Sequence, residues 1–555
     1  MSALEQMMRP DLRDMAAYGS ARTEGGGFKP SIALDANESP WPPFGPLAAA
    51  SESHRYPEPQ PVALRQRLAA FYGIAPGQLL LGRGSDEGID LLLRLFCRAG
   101  EDEIIVCPPT FGMYKVYAAV QGAKVVAVPL RTADWQLDMP AIGAACKTET
   151  KLIFIPSPNA PMGHAMRRDD IFALCRDRAG KSLIVVDEAY VEFSDEPEGF
   201  LAALALHPNL VILRTLSKAH ALAGERIGAV IGQPDLIQAV QKIQAPYPLT
   251  QSSIRVALDA LSPNGLLQSA ERRRVLAAER TRMATLLPQS PFIARVFPSV
   301  ANFLLVEARD GATLMQELRR HGILARDRGG DIPNTVRLSL GTPEENNVVL
   351  QALGVTLSTE NTGRMPRLHS LRRATKETKI DVTVNLDAPD FLAIETGIGF
   401  FDHMLSQLAA HGGFGLALAC KGDLEVDQHH TIEDCALALG EALKAALGDK
   451  RGIQRFGFTA PLDESVAQAV IDLSGRPHAS FEGAFPVPMA GEMSVEMVPH
   501  FFASLASSLG AAIHVSVKGD NTHHMIEASF KATGRALRQA LRREGDALPS
   551  TKGVL

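Results

Sequence analysis

The run LVILRTLSKAHALAGER, residues 210–226, decides how the first half of the chain folds. Its opening LVILR (210–214) is apolar throughout, as a strand buried on both faces of a parallel sheet should be. Small hydroxyl residues and Lys218 follow, with Arg226 eight positions beyond the lysine. Four more runs of this kind come earlier: EIIVC (103–107), KVVAV (124–128), KLIFI (151–155) and SLIVV (182–186). Helical patterns such as LRQRLAAFY and EGIDLLLRLF lie among them. This alternation predicts an α/β fold, a mostly parallel sheet with helices on both faces. Residues 279–355 read as a smaller α/β cap, with NFLLVEA and TVRLSLG as its strands.

A chain of 555 residues is too long for one core, since cores stop growing at roughly 250–300 residues. The polar, basic, aperiodic stretch from 357 to 378 marks a boundary. We place one domain at 1–356, a linker at 357–366 and a second domain at 367–555. Net charge is −6, which gives no electrostatic case for nucleic acid. No apolar run approaches the roughly 18 residues of a membrane span. The charged N-terminus lacks the apolar core of a secretory signal, and the six cysteines show no CxxC pairing. A reducing cytoplasmic setting is expected, with the cysteines buried.

The second domain repeats itself. His403 precedes His429-His430-Thr431-Ile432-Glu433 by 26 positions, and His500 precedes His523-His524-Met525-Ile526-Glu527 by 23. A helical run follows each HHxxE, so a duplicated α+β half-domain is predicted. Nine of the fifteen histidines lie after residue 400, and neutral imidazole is the commonest metal ligand. On a helix, positions i and i+4 share a face. His429 with Glu433, and His523 with Glu527, can therefore chelate, while His430 and His524 turn about 100° away toward a different metal. With His403 and His500, eight ligands serve two metals, each drawing on both copies. Nitrogen and carboxylate donors without thiolate suit Mn²⁺, Fe²⁺ or Zn²⁺.

In the first half, a lysine in the turn after a buried strand suits a Schiff-base site, with Lys218 bonding the aldehyde carbon of pyridoxal phosphate. Thr215, Ser217 and Arg226 would hold the phosphate. Ser85 and Asp86, in GRGSDEG (82–88) before a helix, would add backbone N–H groups. Asp187, at the end of VVDEAY (185–190), would keep the pyridine nitrogen protonated, and Tyr190 would donate to the phenolic oxygen. Phe111 offers a ring for stacking, and Arg337 a charge for a substrate carboxylate or phosphate.

The ordered set ANESP (36–40), RYPE (55–58), GSDE (84–87), PPTF (108–111), SPNxP (157–161), DEAY (187–190), TLSK (215–218) and VRLS (336–339) resembles fold-type I aminotransferases. Histidinol-phosphate aminotransferase is the nearest likeness. The resemblance implies that Tyr56 reaches the partner subunit's cofactor, hence a homodimer. It implies that Arg326 and Arg337 bind the anionic groups of the substrate. The family's SPNNPTG reads SPNAPMG here, so Ala160 cannot bond the phenolic oxygen and Asn159 is left as the nearest amide.

The second domain resembles imidazoleglycerol-phosphate dehydratase through TGIGFFDHML (396–405), DQHHTIED (427–434), DLSGRP (472–477), NTHHMIEASFKA (521–532) and PSTKG (549–553). The resemblance implies a shell of 24 subunits with two Mn²⁺ per site. One metal would take His403, His430, His523 and Glu527, the other His429, Glu433, His500 and His524. Glu377 would contact substrate as the acid/base group. Arg455, Arg476, Ser550 and Lys552 would hold the substrate phosphate. The expected chemistry is dehydration of imidazoleglycerol phosphate to imidazole acetol phosphate, then transamination of that ketone with glutamate to histidinol phosphate. Aminotransferase dimers would be carried on the dehydratase shell. Rival readings make the first half an aromatic or threonine-phosphate enzyme or a weakly active cofactor-binding module, or make the metals mere staples of the shell.

Overall fold

The computed structural model describes residues 2–13, 55–358, 361–363, 365–389, 391–457, 460–462, 464–543 and 548–550. The motif ANESP at 36–40 and Lys552 lie outside them. Two compact units emerge: Met1–Ser262 with Ser269–Arg364, and Pro263–Gln268 with Met365–Leu555. Among the described residues no helix is long and apolar enough to cross a membrane. Cys97, Cys107, Cys175 and Cys435 are buried, whereas Cys146 and Cys420 are half-buried, so the expectation of burial holds for four of the six.

The first unit is organised by a seven-stranded sheet: β1 (Leu79–Gly82), β2 (Glu103–Val106), β3 (Lys124–Ala127), β4 (Thr150–Pro156), β5 (Leu183–Asp187), β6 (Leu210–Thr215) and β7 (Gly228–Ile231). Their order across the sheet is β1-β7-β6-β5-β4-β2-β3. The five runs picked out above are β2 to β6, joined in parallel. The two strands not foreseen, LLLG and GAVI, pair antiparallel with each other and close one side. Each carries a glycine, which strands disfavour, beside only three apolar residues. Helix α1 (Gly84–Phe96) follows β1 and packs its Leu91, Leu92, Leu95 and Phe96 into the core. The cap holds β8 (Ile293–Val296), β9 (Phe303–Ala308), β10 (Arg326–Asp327) and β11 (Thr335–Ser339), in the antiparallel order β10-β11-β9-β8.

The second unit contains two copies of one motif. The first runs β12 (Leu368–Ala374), β13 (Lys379–Asn385), β14 (Leu392–Glu395), α2 (Gly399–Gly412), β15 (Gly415–Lys421) and α3 (His429–Leu447). The second runs β16 (Phe456–Gly457), β17 (Ala460–Leu462), β18 (Ser465–Asp472), β19 (His478–Glu482), a two-stranded hairpin of β20 (Met489–Ala490) and β21 (Met493–Ser494), α4 (Met497–Leu509), β22 (Ala512–Lys518) and α5 (Thr522–Leu541). In each copy an antiparallel hairpin leads into a strand laid parallel on its neighbour, β14 on β15 and β19 on β22. Strand β12 lies inside the stretch read as aperiodic. It is an edge strand, and edges carry charge: Arg372 pairs with Asp381 and Arg373 with Asp434. Along β18 buried and open residues alternate, so one sheet face meets the helices.

Those helices pair across the copies, α2 against α5 and α3 against α4. Glycines set the closeness. A Cβ on Gly534 of α5 would lie 2.6 Å from the Leu408 carbonyl of α2. One on Gly440 of α3 would lie 2.9 Å from the Leu505 carbonyl of α4. A single core, from Phe401 and Leu439 to Phe501 and Phe530, runs through both copies.

One ionic cluster in the first unit is buried without full pairing. Arg214 donates to Glu188 at 2.8 Å and lies over the Tyr72 ring. Beside them Glu192 is buried, and neither carboxylate oxygen meets a donor among the described residues. Burial pushes its pKa up to about 7. Because the folded state then holds the proton more tightly than the unfolded chain, stability falls as pH rises from the ordinary glutamate range to about 7, and stays reduced above it. One pKa unit is worth about 1.4 kcal/mol. Glu192→Gln should therefore stabilise the protein by up to ~3 kcal/mol near pH 8 and leave it almost unchanged near pH 4. Thermal unfolding at the two pH values checks this; equal shifts at both would refute it.

Candidate active sites

In the first unit a pocket opens at the C-terminal ends of β4, β5 and β6. Ser85, Asp86, Phe111, Ala160, Asp187, Tyr190, Thr215, Ser217, Lys218 and Arg226 all line it. At its floor, Asp187 accepts the Tyr114 hydroxyl at 2.9 Å and the Ala189 N–H at 3.1 Å. Burial raises the Asp187 carboxyl to about 6 against the pull of those two donors. Tyr114, 73 positions away in sequence, had no signal that reading could use. Lys218 is set in the turn after β6. Burial first, then the charge of Arg337, lower its amine below the ordinary lysine value. Its Nζ stands 5.7 Å from the centre of the Tyr190 ring, which is itself edge-on to Phe303.

One end of the pocket suits an anion. The Arg226 guanidinium reaches Asp86 at 3.2 Å and Ser217 Oγ at 3.5 Å, beside the N-terminus of α1. Gly84 opens that helix at φ +76, and a Cβ there would lie 2.7 Å from Arg226 Nη2. Thr215 is buried, its hydroxyl 3.0 Å from the Ile227 carbonyl and 2.9 Å from Ser217 Oγ, where it braces the turn. At the other end Arg337 stands over the Phe303 ring at 5.3 Å and faces Arg326 across the β10–β11 ladder. Asn159 does not line the pocket. Its amide donates to the Pro109 carbonyl at 3.0 Å, while Ala160 faces the pocket. Tyr56 also stands apart, stacked on Tyr247 at 4.7 Å and half open to solvent.

In the second unit the cross-copy helix pairs assemble two identical clusters. His403 of α2 meets His523 and Glu527 of α5, and His429 and Glu433 of α3 meet His500 of α4. Within each cluster the ligating atoms lie within 4.8 Å of one another. His523 Nε2 is 3.4 Å and His403 Nε2 3.8 Å from the Glu527 carboxylate. His429 Nε2 is 3.6 Å and His500 Nε2 3.5 Å from the Glu433 carboxylate. His500 Nε2 is buried and makes no hydrogen bond among the described residues. Asp427 and Asn521 start the two helices by accepting the N–H of His429 and His523. Lys531 pairs with Glu527 at 2.7 Å, a neighbour that reading overlooked.

His430 and His524 join neither cluster. His430 Nδ1 lies 3.0 Å from Asp423, and His524 Nδ1 2.9 Å from Glu464. Glu377, on the β12–β13 turn, lies 3.8 Å from His430 Nε2. Arg455 is committed more fully than its expected phosphate role suggests. It grips Asp472 in a bidentate pair, at 2.6 and 3.0 Å, and donates to the Pro549 carbonyl at 3.1 Å. That bond holds the chain next to Ser550. Arg476 lies after β18, exposed.

The family model for aminotransferase class I and II matches residues 23–353, and that for imidazoleglycerol-phosphate dehydratase matches residues 396–537. The histidinol-phosphate aminotransferase of Stenotrophomonas maltophilia (strain R551-3) is 45% identical over 352 residues, covering 62% of this chain and 95% of the relative. That of Xanthomonas oryzae pv. oryzae (strain MAFF 311018) is 43% identical over 357 residues, covering 63% and 97%. Among solved structures, histidinol-phosphate aminotransferase from Sinorhizobium meliloti in complex with pyridoxal-5'-phosphate aligns with a TM-score of 0.50 at 26% identity, covering 62% of this chain and 96% of that one.

The Gly84 contact yields a measurable expectation. Gly84→Ala forces a side chain into left-handed backbone, a cost of roughly 1–2 kcal/mol, and displaces Arg226 from the anion end of the pocket. The affinity for pyridoxal phosphate should fall about tenfold in a spectral titration. Unchanged affinity would show that Arg226 does not grip the phosphate.

Proposed function

We propose that this chain, which belongs to the aminotransferase class I and II family and carries an imidazoleglycerol-phosphate dehydratase domain, catalyses two linked reactions of histidine biosynthesis. It removes water from imidazoleglycerol phosphate and transfers the amino group of glutamate to the resulting imidazole acetol phosphate. The observation that carries this reading is the presence, in one polypeptide, of a lysine pocket with an anion end and of two His₂Glu clusters built across duplicated helices.

The first pocket suits pyridoxal phosphate. It presents a lowered amine at Lys218, a buried carboxylate at Asp187 and a cradle at Gly84 that a Cβ would obstruct. When bound, the cofactor supplies an electron sink for carbanion chemistry. Lys218 Nζ, held below its ordinary pKa, accepts and returns the proton at the substrate carbon. Asp187 keeps a proton on the ring nitrogen, and Tyr114 keeps Asp187 in place. Ser85, Ser217, Arg226 and the α1 N-terminus hold the phosphate, and Phe111 flanks the ring. With Asn159 turned to Pro109 and Ala160 apolar, Tyr190 is the donor left for the phenolic oxygen. Arg337 and Arg326 take the anionic ends of the glutamate and of the phosphorylated ketone. Tyr56, apart from its own pocket, serves the cofactor of a second copy, so the aminotransferase works as a dimer.

The two clusters suit divalent cations such as Mn²⁺, because each sets two imidazoles and a carboxylate around one point, and His500 Nε2 makes no hydrogen bond among the described residues. When bound, such cations would stabilise negative charge on the imidazole ring of the substrate, the charge that helps expel the hydroxyl group from the carbon attached to it. Hydroxide leaves the carbon attached to the ring and Glu377 takes the proton from the next carbon, so one water is lost and the enol relaxes to the ketone of imidazole acetol phosphate. Arg455, Arg476, Ser550 and Lys552 hold the phosphate; Asp472 and the Pro549 carbonyl fix Arg455 for that task. Each cluster gains its fourth ligand, His430 or His524, from another copy, as a 24-chain shell carrying aminotransferase dimers allows.

A coupled assay of the purified protein, from imidazoleglycerol phosphate and glutamate to histidinol phosphate, tests the whole reading; absence of either step overturns it. Lys218→Ala should abolish transamination and the visible cofactor band while dehydration persists at the wild-type rate. Dehydration lost in parallel would contradict separate sites. The native mass of the metal-loaded protein should correspond to 24 chains. A stable dimer active in dehydration would exclude the shell.

A further inference from the structure

The two copies of the second unit differ where their histidine pairs begin. The first leads from strand to helix through Lys421-Gly422-Asp423, the second through Lys518-Gly519-Asp520. Asp423 precedes His429 by six positions, but Asp520 precedes His523 by three. This loop alone accounts for the unequal spacing of the lone histidine and the pair, 26 positions against 23.

The longer loop has a structural result. It brings Asp423 back over the helix start, with its oxygens 3.0 and 3.3 Å from His430 Nδ1. In the second copy the same nitrogen of His524 is met by Glu464, at 2.9 and 3.1 Å. Glu464 sits in the turn between β17 and β18, and its counterpart in the first copy is Glu377, in the turn between β12 and β13. Because Asp423 occupies the Nδ1 side of His430, Glu377 stands on the opposite side of that ring, 3.8 Å from Nε2. Among the described residues, neither His430 nor His524 belongs to a cluster of its own chain.

We infer that Asp423 and Glu464 are positioning residues: each fixes the proton of its histidine on Nδ1 and presents Nε2 as a donor to a metal held by another copy. The three-residue extension of the first loop takes over the holding role there and leaves Glu377 free to face the substrate. A metal-bound imidazole whose other nitrogen donates to a carboxylate is fixed in tautomer and orientation, and loss of that carboxylate typically weakens metal binding by about 10–100-fold. The inference rests on the metal-site reading above.

The test measures Mn²⁺ affinity and stoichiometry in the full-length protein by competition with a fluorescent chelator, with native mass recorded alongside. Asp423→Ala and Glu464→Ala should each weaken one of the two Mn²⁺ equivalents per chain by about 10–100-fold, a different one in each case. Asp423→Asn and Glu464→Gln keep an acceptor oxygen for Nδ1–H and should recover most of that affinity. Asp520→Ala should bind Mn²⁺ as the wild type does. His430→Ala and His524→Ala separate the two layers of the argument. If they leave Mn²⁺ binding intact, the metal-site reading itself falls. If they weaken it but the alanine variants of Asp423 and Glu464 do not, only the positioning role falls. Loss of affinity in Asp520→Ala equal to that in Asp423→Ala would overturn the division of labour between the copies.

Discussion

The close approach of helices from opposite copies is the constraint on which the second unit depends. An HHxxE sequence alone sets only an imidazole and a carboxylate on one helical face. The third ligand comes from the helix packed against it, and that helix comes near enough because Gly534 and Gly440 carry no side chain at the crossings. The same crossings form the centre of a core that includes Phe401, Leu439, Phe501 and Phe530. The geometry of the histidine–glutamate clusters and core packing are thus one arrangement: a side chain added at either glycine moves cluster residues as well as core residues.

The first unit works by a different rule. Its functional groups sit at the ends of buried parallel strands, where the backbone is fixed by neighbours on both sides and the side chains leave the sheet together. Asp187 ends β5 and Lys218 follows β6, the next strand over. Burial moves both groups toward their neutral forms, the carboxyl upward and the amine downward. A low-dielectric floor that carries a hydroxyl donor, Tyr114, therefore prepares the site before any ligand arrives.

Much of this was legible in the sequence, for physical reasons. Fully buried strands are apolar runs, so β2, β4, β5 and β6 stood out and the more open β3 showed by its paired valines, while β1 and β7 each carry a glycine that strands disfavour and the edge strand β12 was disguised by its charges. The i, i+4 ligand pairs could be read because a helix fixes that relation locally. What escaped was non-local. Tyr114 meets Asp187 from 73 positions away, and Glu464 meets His524 from 60. The bidentate pair of Arg455 with Asp472, 17 positions on, was likewise not foreseen. Pairings of this sort are set by strand register and loop length, neither of which leaves a mark at the residues themselves.

The shared core of the two copies also constrains ancestry. A chain with one copy alone would expose the helical face that now packs on its twin, and it would hold an imidazole–carboxylate pair without the crossing histidine. A half-length chain could complete such a cluster only by self-association about a twofold axis, with two like chains standing where the repeats now stand. Joined in one chain, the two repeats make that symmetry internal and are free to differ. The unequal loops before His429 and His523 are one place where they do.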